Sequence, residues 1–404
     1  MRAGAANLRH NAWFWAAVAV LLVLAWQALT VHANYGGNWT GLFCTGQRTR
    51  LPANLEAVTR RDGSPFGYDG QYYRLLAHDP FLRHGTAAFL DGPLVRSRRI
   101  LVPLSAWVLA AGRPGLIDGA YILVVAAFLF GGVYWLASIL VRQGRHAAFG
   151  LLFLAVPATI VSIDRMTVDL AVGALTAALA YQLISGRDKG PPLWLTLAAA
   201  GLVRETGLLL ALGCVLAAAY RRDFRKALLW SSAAVPALCW FAYLQFSALP
   251  PSAVTVAQVV PRWLEPHHWQ FGLFSRALHP IPYPYAPALL LLARVIDWIA
   301  LGATAAAAVV GALRLRATRS GSLRVVLALH AALVFTLTAN YFWVTPFGYT
   351  RPLAPLFVLL LVGDGMPAGY GALARAALLS ALVDLRLFTE IKAQVFGILH
   401  WLAG

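Results

Sequence analysis

Charge is what this sequence has least of: only 12% of its 404 residues are Asp, Glu, Lys or Arg, while 60% are hydrophobic and the mean hydropathy is +0.66. A soluble domain carries about twice that share of charge, so the shortage excludes one, and repeated apolar runs of membrane-crossing length point to a polytopic membrane protein. Acidic residues are scarcer still, 16 against 33 basic ones, for a net charge of +17. In a soluble chain that excess would suggest nucleic acid. Here the arginines cluster in short loops between apolar runs, as orientation signals do, and a nucleic-acid partner is excluded on that ground. The three cysteines, Cys44 in a polar loop and Cys214 and Cys239 inside apolar runs, form neither a metal spacing nor a disulfide framework. Also missing are a Walker lysine motif, a Gly-rich dinucleotide fingerprint, a serine nucleophile elbow, an HExxH pair and any fixed-period repeat.

What is present reads as an all-α polytopic membrane protein, one domain over 1–404 with about ten to twelve transmembrane or re-entrant helices. Arg2, Arg9 and His10 precede the apolar run 12–31, which ends without a small-x-small cleavage site, so it is predicted as an uncleaved first span with its N-terminus cytoplasmic. The loop 32–115 then lies outside. Its apolar stretch 99–111 would make only ~20 Å of helix against a hydrocarbon core of ~30 Å, which suits an interfacial helix. If that helix does not cross, the next span, from Ile117, ends inside at Arg142 and Arg145, as the positive-inside bias requires.

The helical bundle is predicted over 117–388. Within it the turn 164–169 faces the same side as the first loop. The segment 193–220 has basic residues at both ends and Arg204-Glu205 near its middle; a re-entrant pair of short helices satisfies the charge bias where a straight crossing does not. A Pro- and aromatic-rich external loop is predicted at 248–287; its Glu265, His267 and His268 have no second ligand cluster and read as an interfacial face. The C-terminal segment 389–404 fits either a surface helix or a crossing.

Water-side chemistry is concentrated in the first loop, around Phe66-Gly67-Tyr68-Asp69-Gly70-Gln71-Tyr72-Tyr73-Arg74. Asp69 is the candidate catalytic carboxylate, set against the alternative of an Asp-Gly turn bonding its own backbone. Tyr68, Gln71, Tyr72 and Tyr73 are candidate substrate-lining residues, the tyrosines equally suited to anchoring at the interface. Asp79 and Asp91 read as local turn residues. Asp164 and Asp169 form a second acidic site. Arg204 and Glu205, charges at membrane depth, are expected to be functional or to lock the helix turn. Arg351 ends an aromatic turn at the mouth of a later span. One carboxylate with arginines nearby suits sugar transfer from a polyprenyl phosphate: the leaving phosphate needs charge stabilisation, and one base activates the acceptor hydroxyl. Glycoside hydrolysis usually needs two carboxylates.

With its external-loop Asp, interfacial helix, second acidic turn and late arginine, the chain resembles the GT-C superfamily of integral membrane glycosyltransferases. The stretch Tyr68-Asp69-Gly70-Gln71-Tyr72-Tyr73 with Ala77-His78-Asp79-Pro80 is also similar to a bacterial membrane family associated with cell-surface glycopolymers. The resemblance implies a bacterial inner-membrane location, a polyprenyl-phosphate-sugar donor, a glycan or lipid acceptor and inversion at the anomeric carbon. By position, Asp69 corresponds to the loop base, Asp164 or Asp169 to the second acid, and Arg351, with Arg204, to the donor-phosphate contacts. Many such proteins carry paired acids in this loop whereas Asp69 has Tyr68 and Gly70 beside it, so no metal ligands are assigned and a divalent cation is left open. The rival readings are a transporter or flippase for a lipid-linked precursor, and a non-catalytic subunit of a polysaccharide assembly machine.

Overall fold

The computed structural model describes residues 8–187, 190–249, 272–278, 287–337, 340–364 and 370–403, and among them every regular element is helical. Helix α1 (Ala12–Tyr35) starts at Asn11, whose side-chain oxygen accepts the Phe14 N–H, and ends at left-handed Gly36, so both termini are capped by the residue types that suit them. The loop that follows contains α2 (Gly70–His78) and α3 (Leu101–Leu109), and leads into α4 (Pro114–Arg142). A 3-10 segment (Ala147–Ala155) meets α5 (Pro157–Arg165) at a 67° bend where Pro157 opens the new helix. Then come α6 (Asp169–Ile184), α7 (Pro191–Val203), α8 (Leu208–Tyr220), α9 (Phe224–Phe246), α10 (Pro287–Arg314), α11 (Gly321–Thr336), α12 (Ala354–Val362) and α13 (Gly371–Leu402).

Four of these, α1, α4, α9 and α10, are long and apolar enough to cross a membrane, or five spans if the bent pair ending in α5 is one. This is consistent with a helical membrane protein. Of the rest, α13 is 32 residues long but interrupted by charged residues, and others are shorter: α6, at 16 residues, is ~24 Å long. It is nonetheless the centre of the bundle, since its residues from Asp169 to Ala180 are all buried. Small residues let its neighbours come close. Gly173 of α6 lies against the Phe153 ring, and Gly132 of α4 faces the same ring so closely that a Cβ there would collide with it.

The helices alternate between two ends. At one, Trp15 stacks near His146, Gln143 donates to the Val362 carbonyl at 2.8 Å, and Arg314 donates to the Leu360 and Ala372 carbonyls at 2.5 and 2.8 Å. The stretches around Gly186, Arg221, Arg319 and Asp364 line one cavity of about 680 Å³ there. At the other end lie the loop after α1, the turn from Arg165 to Asp169 and the residues before α12. Both flanks of the short helix α3 lie at this second end: Arg99 before it bonds Tyr73, and Asp118 after it pairs with Arg74.

Two segments of the bundle show how the chain turns and continues. In the segment 193–220, α7 stops at Arg204, whose backbone is extended (φ −161°, ψ 151°), and the chain turns back into α8. The turn is tight enough that Gly207 sits on the Ala200 backbone with no room for a Cβ. Secondly, residues 371–388 and 389–402 are not a span and a separate segment but one helix, α13. It runs from Ala372 beside Arg314 to Gln394, whose carbonyl accepts from Asn34 at 3.2 Å. Of the proposed loop 248–287, all but 248–249, the helix Gly272–Leu278 and Pro287 falls outside the described residues, including Glu265, His267 and His268.

Candidate functional site

Asp69 occupies the position before the first turn of α2, yet its carboxylate makes no capping bond to that helix. Two guanidiniums take it instead. Oδ2 of Asp69 lies 2.5 Å from an Nη of Arg351 and 2.5 Å from an Nη of Arg96. Gly70 explains how the loop reaches this position: a Cβ there would collide with the Arg165 carbonyl, so only glycine lets the start of α2 press against the end of α5. That contact brings Asp69 to the turn carrying Asp169.

Asp169, the fully buried first residue of α6, pairs with Arg204 at the tip of the α7–α8 hairpin, and its Oδ2 is 3.8 Å from Nε of Arg351. Glu205, next to Arg204, accepts from Arg99 Nε at 3.2 Å, and Arg99 also donates to the Tyr73 hydroxyl at 3.0 Å. Four arginines (96, 99, 204 and 351) thus interleave with three carboxylates (69, 169 and 205), and Asp91 at the edge makes the charges even. At its edge Arg96 is held bidentately by Asp91 at 2.8 and 2.9 Å; the Asp91 side chain is 45% exposed, so its charge is screened by water.

Aromatic rings hold the guanidiniums flat. Arg351 lies over Tyr68, 5.2 Å from the ring centroid, and Tyr68 packs against Phe347. Arg96 lies over Tyr72 at 5.0 Å. Burial by itself would push the Asp69 carboxyl up, but Arg351 and Arg96 outweigh it and hold the group far below the usual carboxylate range. Some capacity in the cluster is unused: Nε of Arg204, Nε of Arg351 and Oδ2 of Asp169 are buried with no hydrogen-bond partner among the described residues.

The structure therefore brings Asp69, Asp169, Arg204, Glu205, Arg351, Tyr68, Tyr72 and Tyr73 together, and leaves two candidates outside. Asp164 is turned toward the loop, 2.7 Å from its neighbour Arg165, because it sits on the opposite face of the end of α5. Gln71 is a staple of the loop rather than a lining residue. Its Oε1 accepts from Gly46 N–H at 3.0 Å and Thr49 hydroxyl at 2.7 Å, and its Nε2 donates to the Phe66 carbonyl at 2.9 Å. Asp79 is a local turn residue, accepting the Arg83 and His84 N–H groups at 2.9 Å each. Asp91 is not: it fixes Arg96, one step from Asp69.

Arg96 and Arg99 also belong to the site, and the sequence carries a signal for them in the basic cluster Arg96, Arg98 and Arg99. A basic cluster in a loop read as external contributes nothing to the inside bias, so its charges need other partners. As for a divalent cation, no group of three or more His, Cys, Asp or Glu converges among the described residues. Each carboxylate of the cluster already faces a guanidinium, a donor set that suits an anion and repels a cation. No known protein family, curated protein or solved structure matches this chain.

Proposed function

We propose that the chain is a membrane glycosyltransferase, moving a sugar from a polyprenyl-phosphate-linked donor to a cell-envelope glycan or lipid acceptor. The observation that carries this reading is the shared pair of arginines: Asp69, the only acid of the polar loop's Tyr-Asp-Gly stretch, touches Arg351 and Arg96 on one oxygen. A base for the acceptor and a two-guanidinium anion cradle for the leaving phosphate thus share one largely buried site.

The acceptor hydroxyl attacks the anomeric carbon from the face opposite the phosphate; its oxygen forms the new glycosidic bond and its proton goes to Asp69. The bond from the anomeric carbon to the phosphate oxygen breaks with its electron pair on that oxygen, where Arg351 and Arg96 stabilise the charge. One displacement gives inversion. Arg204, paired with Asp169, adds positive potential beside the same space, and the aromatic rings of Tyr68 and Tyr72 border it. The site would face the external side of the membrane, with the arginine-rich end in the cytoplasm.

The test is transfer from a lipid-linked donor in membranes containing the wild-type protein or Asp69→Asn at equal abundance. Asparagine keeps the size of the side chain but takes no proton, so transfer should fall by about 100-fold or more. Undiminished transfer removes Asp69 as the base. One observation favours transport instead, the charge-tipped break between α7 and α8, since transporters bind substrate at broken helices. That reading expects substrate movement across vesicles without any change in its covalent structure.

A further inference from the structure

We infer that Asp69 and a phosphate group compete for the same two guanidiniums, so that the carboxylate occupies the anion site of the empty protein and is released when a phosphate binds. This rests on the proposed function for the identity of the phosphate, a prenyl-linked ester, but the exchange itself is a property of the cluster.

Three features of the geometry lead to it. The first is crowding on one atom: both 2.5 Å contacts fall on Oδ2 of Asp69, so the two arginines converge on one oxyanion position. Phosphate has the same preference for paired guanidinium N–H donors and offers more oxygens. It could also use Nε of Arg204, which is buried with no hydrogen-bond partner among the described residues.

The second is the charge count. Four arginines are matched by four carboxylates once Asp91 is counted, so an incoming phosphate finds no spare positive charge unless a carboxylate gives way. A phosphate that arrived without displacing Asp69 would have to share two guanidiniums with a carboxylate in a dehydrated space, where like charges repel strongly.

The third is tethering. Arg96 is held from behind by Asp91 and lies on the Tyr72 ring, while Arg351 lies on Tyr68 and reaches Asp169. Each guanidinium therefore keeps its place when Asp69 leaves. The chemistry calls for the same movement, because a carboxylate clamped by two arginines is a poor proton acceptor. Released from them to the acceptor's side of the sugar, it becomes a better one. Base activation is then tied to donor occupancy, and an acceptor or water meeting the empty site finds no competent base.

The experiment is calorimetric titration of the purified full-length protein in detergent with inorganic phosphate and, separately, with a ten-carbon prenyl phosphate. Removing the competitor should tighten binding, so Asp69→Asn is expected to bind both probes about tenfold or more better than wild type. Equal or weaker binding by Asp69→Asn overturns the exchange. Arg96→Gln, at the half-open edge of the cluster, is expected to lose about tenfold in affinity. If Asp69→Asn does not give monodisperse protein, Asp69→Ser takes its place, and equal or weaker binding by it overturns the exchange. Sugar transfer assayed on the same preparations separates the two ideas. Tightened binding without transfer by wild type leaves the exchange standing and removes the transferase reading. Transfer by wild type without tightened binding in Asp69→Asn does the reverse.

Discussion

Arg351 donates to Asp69 at 2.5 Å across 282 positions of sequence, and with Nε 3.8 Å from Asp169 it links the loop acid to the start of the central helix. A lysine ammonium at this position is a single point charge and cannot serve both carboxylates along one planar group. Arg351→Lys should therefore raise the donor KM by about tenfold or more while the acceptor KM changes little. Steady-state kinetics with each substrate varied in turn checks this; unaltered donor kinetics would place Arg351 outside the site. Alanine is the wrong probe, since it strips a partner from buried carboxylates, which typically costs about 3–5 kcal/mol.

Asp79 and Asp91 lie in the same loop and should behave differently. The Asp79 carboxylate only closes a turn on Arg83 and His84, so Asp79→Asn, which keeps an acceptor oxygen, should retain most activity. Asp91→Asn breaks a bidentate hold on Arg96 and should lower transfer several-fold, by roughly 1 kcal/mol of misplaced guanidinium. Parallel rate measurements at matched protein level decide it. Equal activity in the two variants would mean that Arg96 needs no tether.

How much of this was legible in the sequence depends on the kind of signal. The turn at Arg204 and the shortness of α3 were legible because length and loop charge, both local, constrain them. Asp69, Asp169, Arg204, Glu205 and Arg351 stood out for the same reason, as polar residues in or beside apolar helix. Their pairing was not legible. Nothing near Asp69 in the chain names Arg351 as its partner, and the choice between Asp164 and Asp169 turns on which face of a helix end points inward. Gln71 shows the converse: a polar residue inside a suggestive motif, used up by the loop's own backbone.

The two ends of the bundle make a topological statement that single-cysteine labelling can check, in a background lacking Cys44, Cys214 and Cys239. Residues at 144, 186, 221 and 319 share one end and should resist an impermeant reagent added outside; exposed loop positions 63 and 85 should react. Because α13 is continuous and passes Asn34, a cysteine at 403 should react with the second group. Labelling of 144 together with 63 would show that the two ends do not lie on opposite sides.

The strongest consequence of the clamp on Asp69 is a pH dependence that differs between the free and loaded protein. Burial pulls its carboxyl up, but Arg351 and Arg96, with Arg99 farther off, hold it far below the usual range; Tyr68 and Asp169 lie on the far side of Arg351 as its own contacts. A depressed carboxyl contributes stability that is fully present above its unfolded pKa, near 4, and is lost only as pH falls through the lower folded value. In the free protein Asp69 thus stays ionised throughout the neutral and mildly acidic range. The profile of kcat/KM reports free groups and should show no acid limb from Asp69 above about pH 4. The kcat profile reports the loaded complex, where a bound phosphate has taken the arginines and adds its own negative charge. There the Asp69 carboxyl rises and an acid limb should appear at a higher pH than in kcat/KM. Measuring both profiles from pH 4 to 8 with a saturating acceptor, with Arg96→Gln alongside, gives the answer. In that variant the free carboxyl loses one of its two clamps, so any acid limb in kcat/KM should move up toward the one in kcat. Superimposable profiles for kcat and kcat/KM in the wild type would mean that donor binding leaves Asp69 where it is.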